Sequence, residues 1–192
     1  MNNKGRIVFI NGVSSSGKST LAQALQTRMP EPCYKLSLDL FTDISSMRYD
    51  KNPNQTLSKT FTLFHNTIRM FSDHGANVIV DHILLKPLKP GEASPIDECF
   101  YLLRDYPVLF ICAHCSLGEL KRREQARKDR TPGMAERQLE HIYPADRYDF
   151  TVDTSAITID ECASRVMDFY LKNVEPCAFA KAADEYFKSS LK

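Results

Sequence analysis

The stretch "NGVSSSGKST", Asn11 to Thr20, decides how the rest of this 192-residue chain is interpreted. Gly12 to Ser19 fits the pattern G-x-x-x-x-G-K-[ST] and lies between an apolar run and a segment with helical spacing. Glycine and serine lose much conformational freedom when they become ordered, so this loop indicates a ligand that needs bare backbone amides. The alternative is a glycine turn without a ligand, but the position between strand and helix favours a phosphate-binding loop.

Each part of this loop has an expected role. The backbone amides converge on phosphate oxygens, and the N-terminus of the following helix adds positive potential. Lys18 is expected to reach the β- and γ-phosphates, and the Ser19 hydroxyl to ligate Mg²⁺. The predicted nucleotide-binding residues are consecutive: Gly12, Val13, Ser14, Ser15, Ser16, Gly17, Lys18, Ser19 and Thr20.

Apolar runs alternate with helical patterns along the chain. Five runs read as strands, at residues 6–11, 33–39, 76–84, 107–115 and 149–154. Five strands separated by helices predict an α/β fold of three layers, a parallel sheet with helices on both faces. We expect one main domain over residues 1–175, with a mobile segment around 121–134, and a helical tail over residues 176–192.

Composition excludes several functional classes. A net charge of +1 argues against an extended nucleic-acid surface, and no apolar run approaches the roughly 20 residues of a membrane span. The N-terminal apolar run is too short for a signal peptide, which predicts a cytoplasmic protein. Cys112 and Cys115 form a C-x-x-C, but no second pair follows at zinc-site spacing. The six cysteines are therefore interpreted as core thiols, with a redox pair as the alternative.

Two acids follow predicted strands. Asp39 closes "KLSLD" and Asp81 closes "NVIVD", and in a parallel sheet both lie at the edge that carries the phosphate loop. An acid there can accept a proton from an attacking hydroxyl or hold Mg²⁺ through water. The alternative is an N-cap for the next helix. His82, beside Asp81, is either a substrate contact or a strand-end residue without a functional role.

Arginines recur in "KRREQARKDR", residues 121–130. Arg123, Arg127 and Arg130 fall at i, i+4 and i+7, so a continuous helix would place them on one face. A Pro-Gly pair follows at residues 132–133, which is typical of a lid that closes over a transferring phosphoryl group. We expect Arg123 to contact the nucleotide, and Arg127 and Arg130 to act on the transferring group. The alternative is a solvated basic helix face.

Several segments together resemble the chloramphenicol phosphotransferase family. They are the phosphate loop, "MPEP" at 29–32, Asp39, "VIVDH" at 78–82, "REQARKDRTPGMAERQ" at 123–138 and "YDFTVDTS" at 148–155. The similarity runs from about Ile7 to about Val166. It implies a P-loop NTPase-type fold and a small-molecule kinase that uses ATP and Mg²⁺. It also implies that Asp39 is the base, that Arg127 and Arg130 belong to the lid, and that Asp81 lies near the acceptor.

The sequence thus predicts ATP-dependent phosphorylation of a hydroxyl on a small molecule, without nucleic-acid or membrane partners. Two alternatives stay open. One is a toxin-type kinase that phosphorylates a nucleotide sugar. The other is a nucleotide-binding switch that transfers no phosphate to a small molecule.

Overall fold

The computed structural model describes residues 4–46, 51, 53–86, 95–127, 133–172 and 174–190. In these ranges the strands are β1 (Ile7–Asn11), β2 (Cys33–Ser37), β3 (Asn77–Asp81), β4 (Val108–His114) and β5 (Phe150–Asp153). The α-helices are α1 (Lys18–Gln26), α2 (Leu38–Asp43), α3 (Pro53–Asp73), α4 (Pro95–Leu103), α5 (Leu117–Ala126), α6 (Met134–Leu139), α7 (Ile159–Leu171) and α8 (Ala178–Ser190). A short 3-10 helix spans Ala145–Arg147. None of the described helices has the length and apolar character to cross a membrane.

The five strands form one sheet in the order β2-β3-β1-β4-β5, and every pair is parallel. Parallel neighbours need crossover connections, and here helices supply them. The central strand β1 is buried along its whole length, as expected for a sheet covered on both faces. The predicted α/β architecture is therefore confirmed.

Helices cover both faces of the sheet. On one face, Leu21 of α1 and Val166 of α7 belong to one buried apolar cluster. On the other face, Phe64 of α3, Phe100 of α4 and Phe179 of α8 form the second cluster. Aromatic side chains dominate this second face, so its packing depends on a few large residues.

The C-terminal helix α8 inserts one aromatic ring into the second cluster. Phe179 is 1% exposed, and its ring centroid lies 5.6 Å from that of Phe9, 5.1 Å from Phe100 and 5.2 Å from Phe110. The tail predicted over residues 176–192 is thus helical over Ala178–Ser190. The division of the chain into a domain and a tail stays a prediction.

Three predicted element boundaries are wrong. The strand predicted over residues 76–84 ends at Asp81. The second strand ends at Ser37 instead of Asp39, because α2 begins at Leu38 with Ser37 as its extended N-cap residue. Asp39 lies in the first turn of that helix, where a negative charge is favourable. The helix expected to carry the arginines ends at Ala126, and Arg127 is extended.

Four of the six cysteines behave as the core-thiol interpretation predicts, and it is wrong for the exposed Cys177 and the partly buried Cys33. All six are free, and Cys99, Cys112, Cys115 and Cys162 are buried. Burial raises the pKa of the Cys112 thiol to about 12, so this thiol is protonated at neutral pH. Cys177 is exposed.

Two histidines form a buried polar pair beside the aromatic cluster. His65 of α3 and His82, which follows β3, place their Nε2 atoms 3.3 Å apart. The His65 Nδ1 lies 3.2 Å from a carboxylate oxygen of Glu98 on α4. Burial lowers the pKa of both histidines, and the pKa of His82 is lowered further by His65 and by Lys18. Both rings are therefore neutral in the folded protein at neutral pH.

Replacement of Phe179 by alanine tests the packing of α8. We expect Phe179→Ala to lower the free energy of unfolding by about 3–5 kcal/mol, because it removes a fully buried ring. Denaturant unfolding measures this change. Lys181→Ala, at an exposed position of the same helix, is the control and should shift it by less than about 0.5 kcal/mol. A small effect of Phe179→Ala would show that α8 does not share this core.

The buried histidines predict an acid-sensitive fold. Their pKa values are lowered below the unfolded value of about 6.5, so the unfolded chain binds more protons as the pH falls through 6.5. The two neutral histidines contribute to the stability of the fold above a pH of about 6.5, and this contribution is lost as the pH falls below that value. From pH 7.5 to 5.5 we expect the free energy of unfolding to fall, by at most about 1.4 kcal/mol for each histidine. In urea unfolding, a His65→Leu/His82→Leu variant should lose this part of the pH slope. Equal slopes would refute the assignment.

Candidate active site

A cleft of about 440 Å³ lies at the carboxyl ends of β1, β2 and β3. In parallel sheets ligands bind at this edge. The walls of the cleft include the loop after β1 with the first turn of α1, the end of β2 with the start of α2, the end of β3, helices α5 and α6, and the start of α7. Its lining residues include Ser14, Ser15, Gly17, Lys18, Ser19, Thr20, Ser37, Asp39, Asp81, His82, Arg122, Arg123, Arg127 and Gln138.

The shape of the phosphate loop depends on its two glycines. A Cβ on Gly12 would lie 2.6 Å from the backbone oxygen of Ala113 on β4, so no side chain fits there. Gly17 has a φ of +90° and forms the N-cap of α1. Ser15 also has a positive φ, +63°, which is uncommon for a residue with a side chain and concentrates at functional sites. The loop is thus held in a conformation that an ordinary turn would not adopt.

Polar groups of the loop are arranged for an anionic ligand. The Lys18 Nζ donates a hydrogen bond to the backbone oxygen of Val13 at 2.9 Å. The buried hydroxyls of Ser14, Ser15 and Ser16 have no hydrogen-bond partner among the described residues. The first amides of α1 lack intrahelical acceptors, as at every helix N-terminus. Phosphate oxygens in the cleft would accept from the hydroxyls of Ser14 and Ser15, which line it, and from these helix amides, so the residues present fit the triphosphate of a nucleotide.

Asn11, which the sequence analysis did not single out, holds the loop from behind. It is fully buried at the end of β1. Its Oδ1 accepts from the backbone amides of Gly12 and Leu84, both at 2.9 Å, and its Nδ2 donates to the Tyr148 hydroxyl at 2.9 Å. The apolar strand "RIVFIN" gave no signal for this role, because the partners of Asn11 come from distant parts of the chain.

Arg123 and Thr154 fix the other side of the loop. The Arg123 guanidinium donates to the backbone oxygens of Ser15 at 3.3 Å and Thr154 at 2.7 Å. The Thr154 hydroxyl donates to the Ser16 oxygen at 2.6 Å and accepts from Arg123 at 3.1 Å. Glu119 accepts from the Arg123 Nε at 2.8 Å. Arg123 therefore supports the loop backbone from α5, and its contact with a nucleotide stays a prediction.

The two predicted acids lie in the same cleft but in different surroundings. Asp81 is the last residue of β3 and is 7% exposed, in register with Ile10 of β1 and Ser37 of β2. Asp39 is exposed in the first turn of α2. The cleft therefore has one buried carboxylate at the sheet edge and one solvated carboxylate on a helix.

His82 also lines the cleft, 2% exposed. Its Nε2 faces His65, and its Nδ1 has no hydrogen-bond partner among the described residues. Its ring packs on Phe9 and Phe64, with centroids 6.0 and 5.2 Å away. His65, which the sequence analysis missed, contributes to the site through this contact.

The arginines of α5 differ in their surroundings. Arg122 makes two hydrogen bonds of 2.7 Å with Glu119, and together with Arg123 it lowers the pKa of Glu119 to about 2. Arg127 lines the cleft, exposed, just after the helix ends. Arg130 lies outside the described residues. The predicted shared helix face is wrong for Arg123 and Arg127, because the helix ends at Ala126 and Arg127 is extended.

The structure brings most of the predicted site residues together. Ser14, Ser15, Gly17, Lys18, Ser19 and Thr20 line the cleft with Asp39, Asp81, His82, Arg123 and Arg127. Gly12, Val13 and Ser16 are buried behind the loop surface and do not line it. Ser37 and Gln138 line the cleft although the sequence analysis did not select them. The predicted roles of all these residues stay predictions.

Comparison with other proteins gives sequence relatives and structural neighbours. A protein of Mycobacterium tuberculosis (strain H37Rv) named "Putative O-phosphotransferase" is 25% identical over 201 residues, which cover 92% of this chain and 87% of that protein. The M. tuberculosis APS kinase CysC, in complex with AMPPNP and APS, superposes with a TM-score of 0.59 at 18% identity, covering 86% of this chain and 96% of that one. Shikimate kinase from Acinetobacter baumannii, in complex with shikimate, superposes with a TM-score of 0.58 at 11% identity, covering 90% of this chain and 96% of that one.

The two structural neighbours share the fold of this chain, which is an α/β fold of the P-loop NTPase type. The family assignment comes from the sequence: the family described as "Chloramphenicol phosphotransferase-like protein" matches residues 5–171. The matched range contains the phosphate loop, both acids of the cleft and helices α5 and α6. This chain belongs to the chloramphenicol phosphotransferase-like family.

Proposed function

We propose that this protein transfers the γ-phosphoryl group of ATP to a hydroxyl group of a small molecule, with Mg²⁺. The observation that carries the proposal is the composition of the cleft. A phosphate loop, a solvated carboxylate and an arginine face one space at the carboxyl edge of the sheet. Phosphoryl transfer depends mainly on positioning and charge neutralisation, and these groups supply both.

The nucleotide half of the cleft consists of the loop and the start of α1. Lys18 would leave the Val13 oxygen to hold the β- and γ-phosphates, and the loop amides would hold their other oxygens. Ser19, exposed at the cleft in the first turn of α1, is the protein oxygen that would ligate Mg²⁺. Bound Mg²⁺ supplies neutralisation of the charge that develops on the β- and γ-phosphate oxygens.

The acceptor half consists of Asp39, Asp81 and His82. Asp39 accepts the proton of the attacking hydroxyl while the oxygen of that hydroxyl forms a bond to the γ-phosphorus. The bond between that phosphorus and the bridging oxygen breaks, and ADP keeps the electron pair. Arg127 donates hydrogen bonds to the transferring group. Asp81 and His82, nearly buried, form a wall that orients the acceptor.

Two other activities remain as outcomes of the test. If the protein phosphorylates a nucleotide sugar, it is the toxin-type kinase, which uses the same phosphate loop and the same base. A switch protein would bind and slowly hydrolyse ATP without phosphorylating any acceptor. Carboxylates beside the phosphate loop favour transfer to a hydroxyl, because a switch needs no base for an acceptor.

Replacement of Asp39 by asparagine tests the base. Turnover should fall roughly ten- to ten-thousand-fold, the usual contribution of a general base, while ATP binding is retained. The assay follows transfer of label from γ-labelled ATP to a panel of hydroxyl compounds that includes chloramphenicol and nucleotide sugars.

The control for this variant is Asp43→Asn. Asp43 is an exposed carboxylate at the other end of α2 and does not line the cleft, so its removal should leave turnover unchanged. Wild-type turnover in Asp39→Asn would remove Asp39 from the reaction. Hydrolysis of ATP without any labelled product across the panel would favour the switch.

A further inference from the structure

The wall of the cleft contains a histidine with one unpartnered nitrogen. His82 directly follows β3, is 2% exposed and lines the cleft. Its Nδ1 is buried and has no hydrogen-bond partner in the part of the chain that the structure describes. Most buried polar side-chain atoms have at least one partner, so this nitrogen indicates a group that a ligand brings.

The other nitrogen of His82 ends a chain of groups whose protons can be placed. An ionised carboxylate can only accept, so the His65 Nδ1, 3.2 Å from a carboxylate oxygen of Glu98, must carry a proton. Because His65 is neutral, its Nε2 then has no proton and accepts. The His82 Nε2, 3.3 Å from it, must therefore be the donor of that contact.

This chain decides what the free nitrogen of His82 can do. The neutral ring has a single proton, which lies on Nε2, so Nδ1 carries a lone pair and can only accept a hydrogen bond. An ionised phosphate oxygen has no proton to offer and does not fit such an atom. Glu98, which does not line the cleft, thus sets the tautomer of a residue that does.

Aromatic side chains hold the imidazole in place. Its ring centroid lies 6.0 Å from that of Phe9, 5.7 Å from Phe61 and 5.2 Å from Phe64. None of these rings has an O–H or N–H group. The Nε2 end of the ring is turned to His65 on α3, whereas Nδ1 is bonded to Cγ and lies nearer the main chain, at the carboxyl end of β3.

The order of the strands places His82 within the site. β3 lies between β2, which leads into α2 with Asp39, and β1, which leads into the loop with Lys18. Burial, His65 and the charge of Lys18 each lower the pKa of His82, so the ammonium acts on this ring. His82 therefore lies between the phosphate loop and the proposed base, where an acceptor molecule has to bind.

We infer that the His82 Nδ1 accepts a hydrogen bond from a second donor of the acceptor molecule, an O–H or N–H next to the hydroxyl that is phosphorylated. The inference rests on the proposed function, in which the proton of the reacting hydroxyl goes to Asp39. His82 is then a specificity residue that selects diols and amino alcohols over compounds with a single hydroxyl. His65 and Glu98 are positioning residues, because they act through the tautomer of His82.

The tautomer is tested in the free wild-type protein. A long-range ¹H–¹⁵N spectrum of the ¹⁵N-histidine-labelled chain at neutral pH distinguishes protonated from unprotonated ring nitrogens. We expect the proton on Nδ1 in His65 and on Nε2 in His82, with the signals assigned from the spectra of His65→Phe and His82→Phe. A proton on the His82 Nδ1 would overturn the inference and leave the proposed function standing.

Pairs of compounds test the contact itself. Transfer of label from γ-labelled ATP is measured for diols and amino alcohols, each paired with the analogue that has hydrogen in place of the second donor. In the wild type, kcat/KM should be roughly three- to tenfold higher for the compound with the donor, the usual contribution of a hydrogen bond. In His82→Phe, which keeps an aromatic ring without nitrogen, the difference within each pair should disappear.

The matched control is His74→Phe. His74 is exposed and does not line the cleft, so this variant should keep the wild-type difference within each pair. Thermal unfolding shows whether each variant is folded. If His82→Phe does not fold, the ¹⁵N spectrum of the wild type decides, because the compound with the donor should shift the His82 Nδ1 signal and its analogue should not.

The results separate the two proposals. If the difference within the pairs persists in folded His82→Phe, or if both members of each pair are equal in the wild type, His82 only packs beside the cleft and the inference is wrong. If no compound of the panel is labelled, the proposed function itself fails, and the inference fails with it.

Discussion

The phosphate loop must stay ordered while its own donors remain available, and the rest of the site follows from this requirement. A loop that satisfied its amides and hydroxyls internally would be stable without a ligand and useless for binding one. Here side chains from other parts of the chain hold much of the loop, although the amides of Gly12 and Ser14 donate to Asn11 and Gln138 and the amide of Ser16 donates to the Val13 oxygen. Asn11 binds it from behind, Arg123 and Thr154 bind the oxygens of Ser15 and Ser16, and the three serine hydroxyls have no partner in the described ranges. An unpaired buried polar group costs about 1–3 kcal/mol, which a bound phosphate would recover at Ser14 and Ser15, the two serines that line the cleft.

The same parts that hold the loop also determine where the reaction can take place. Arg123 connects α5 to the loop, and Glu124 in the next position connects α5 to α6. Because adjacent residues on a helix point to different sides, this short segment fixes the loop and the wall of the cleft together. A displacement of α5 would therefore change both the phosphate site and the position of Arg127. Hydrogen bonds carry this coupling, one from α5 to the loop and one from α5 to α6.

The sequence predicted those structural features that depend on residues close together in the chain. The glycine loop and the alternation of apolar strands with helices are each readable within a short window. The structure confirms the alternation and places the loop between β1 and α1, and phosphate binding by the loop stays a prediction. The boundaries of β2 and α5 were wrong, because a helix start at Leu38 and an extended Arg127 depend on tertiary packing. Contacts across the chain gave no signal at all. Gln138 and Ser14 are 124 residues apart, and the polar pair His65 and His82 is formed only when α3 packs on the sheet.

Whether the loop after β1 binds the triphosphate is decided by an amide ¹H–¹⁵N spectrum of the labelled chain during titration with Mg²⁺ and ATP. We expect saturable shifts that are largest for the amides of residues 14–20, which lie in the loop and the first turn of α1. The shifts should be lost in Lys18→Ala, and the dispersion of that variant's own spectrum checks that it is folded. Saturable binding that leaves those amides unmoved, or shifts that are confined to another part of the sheet, would contradict this assignment.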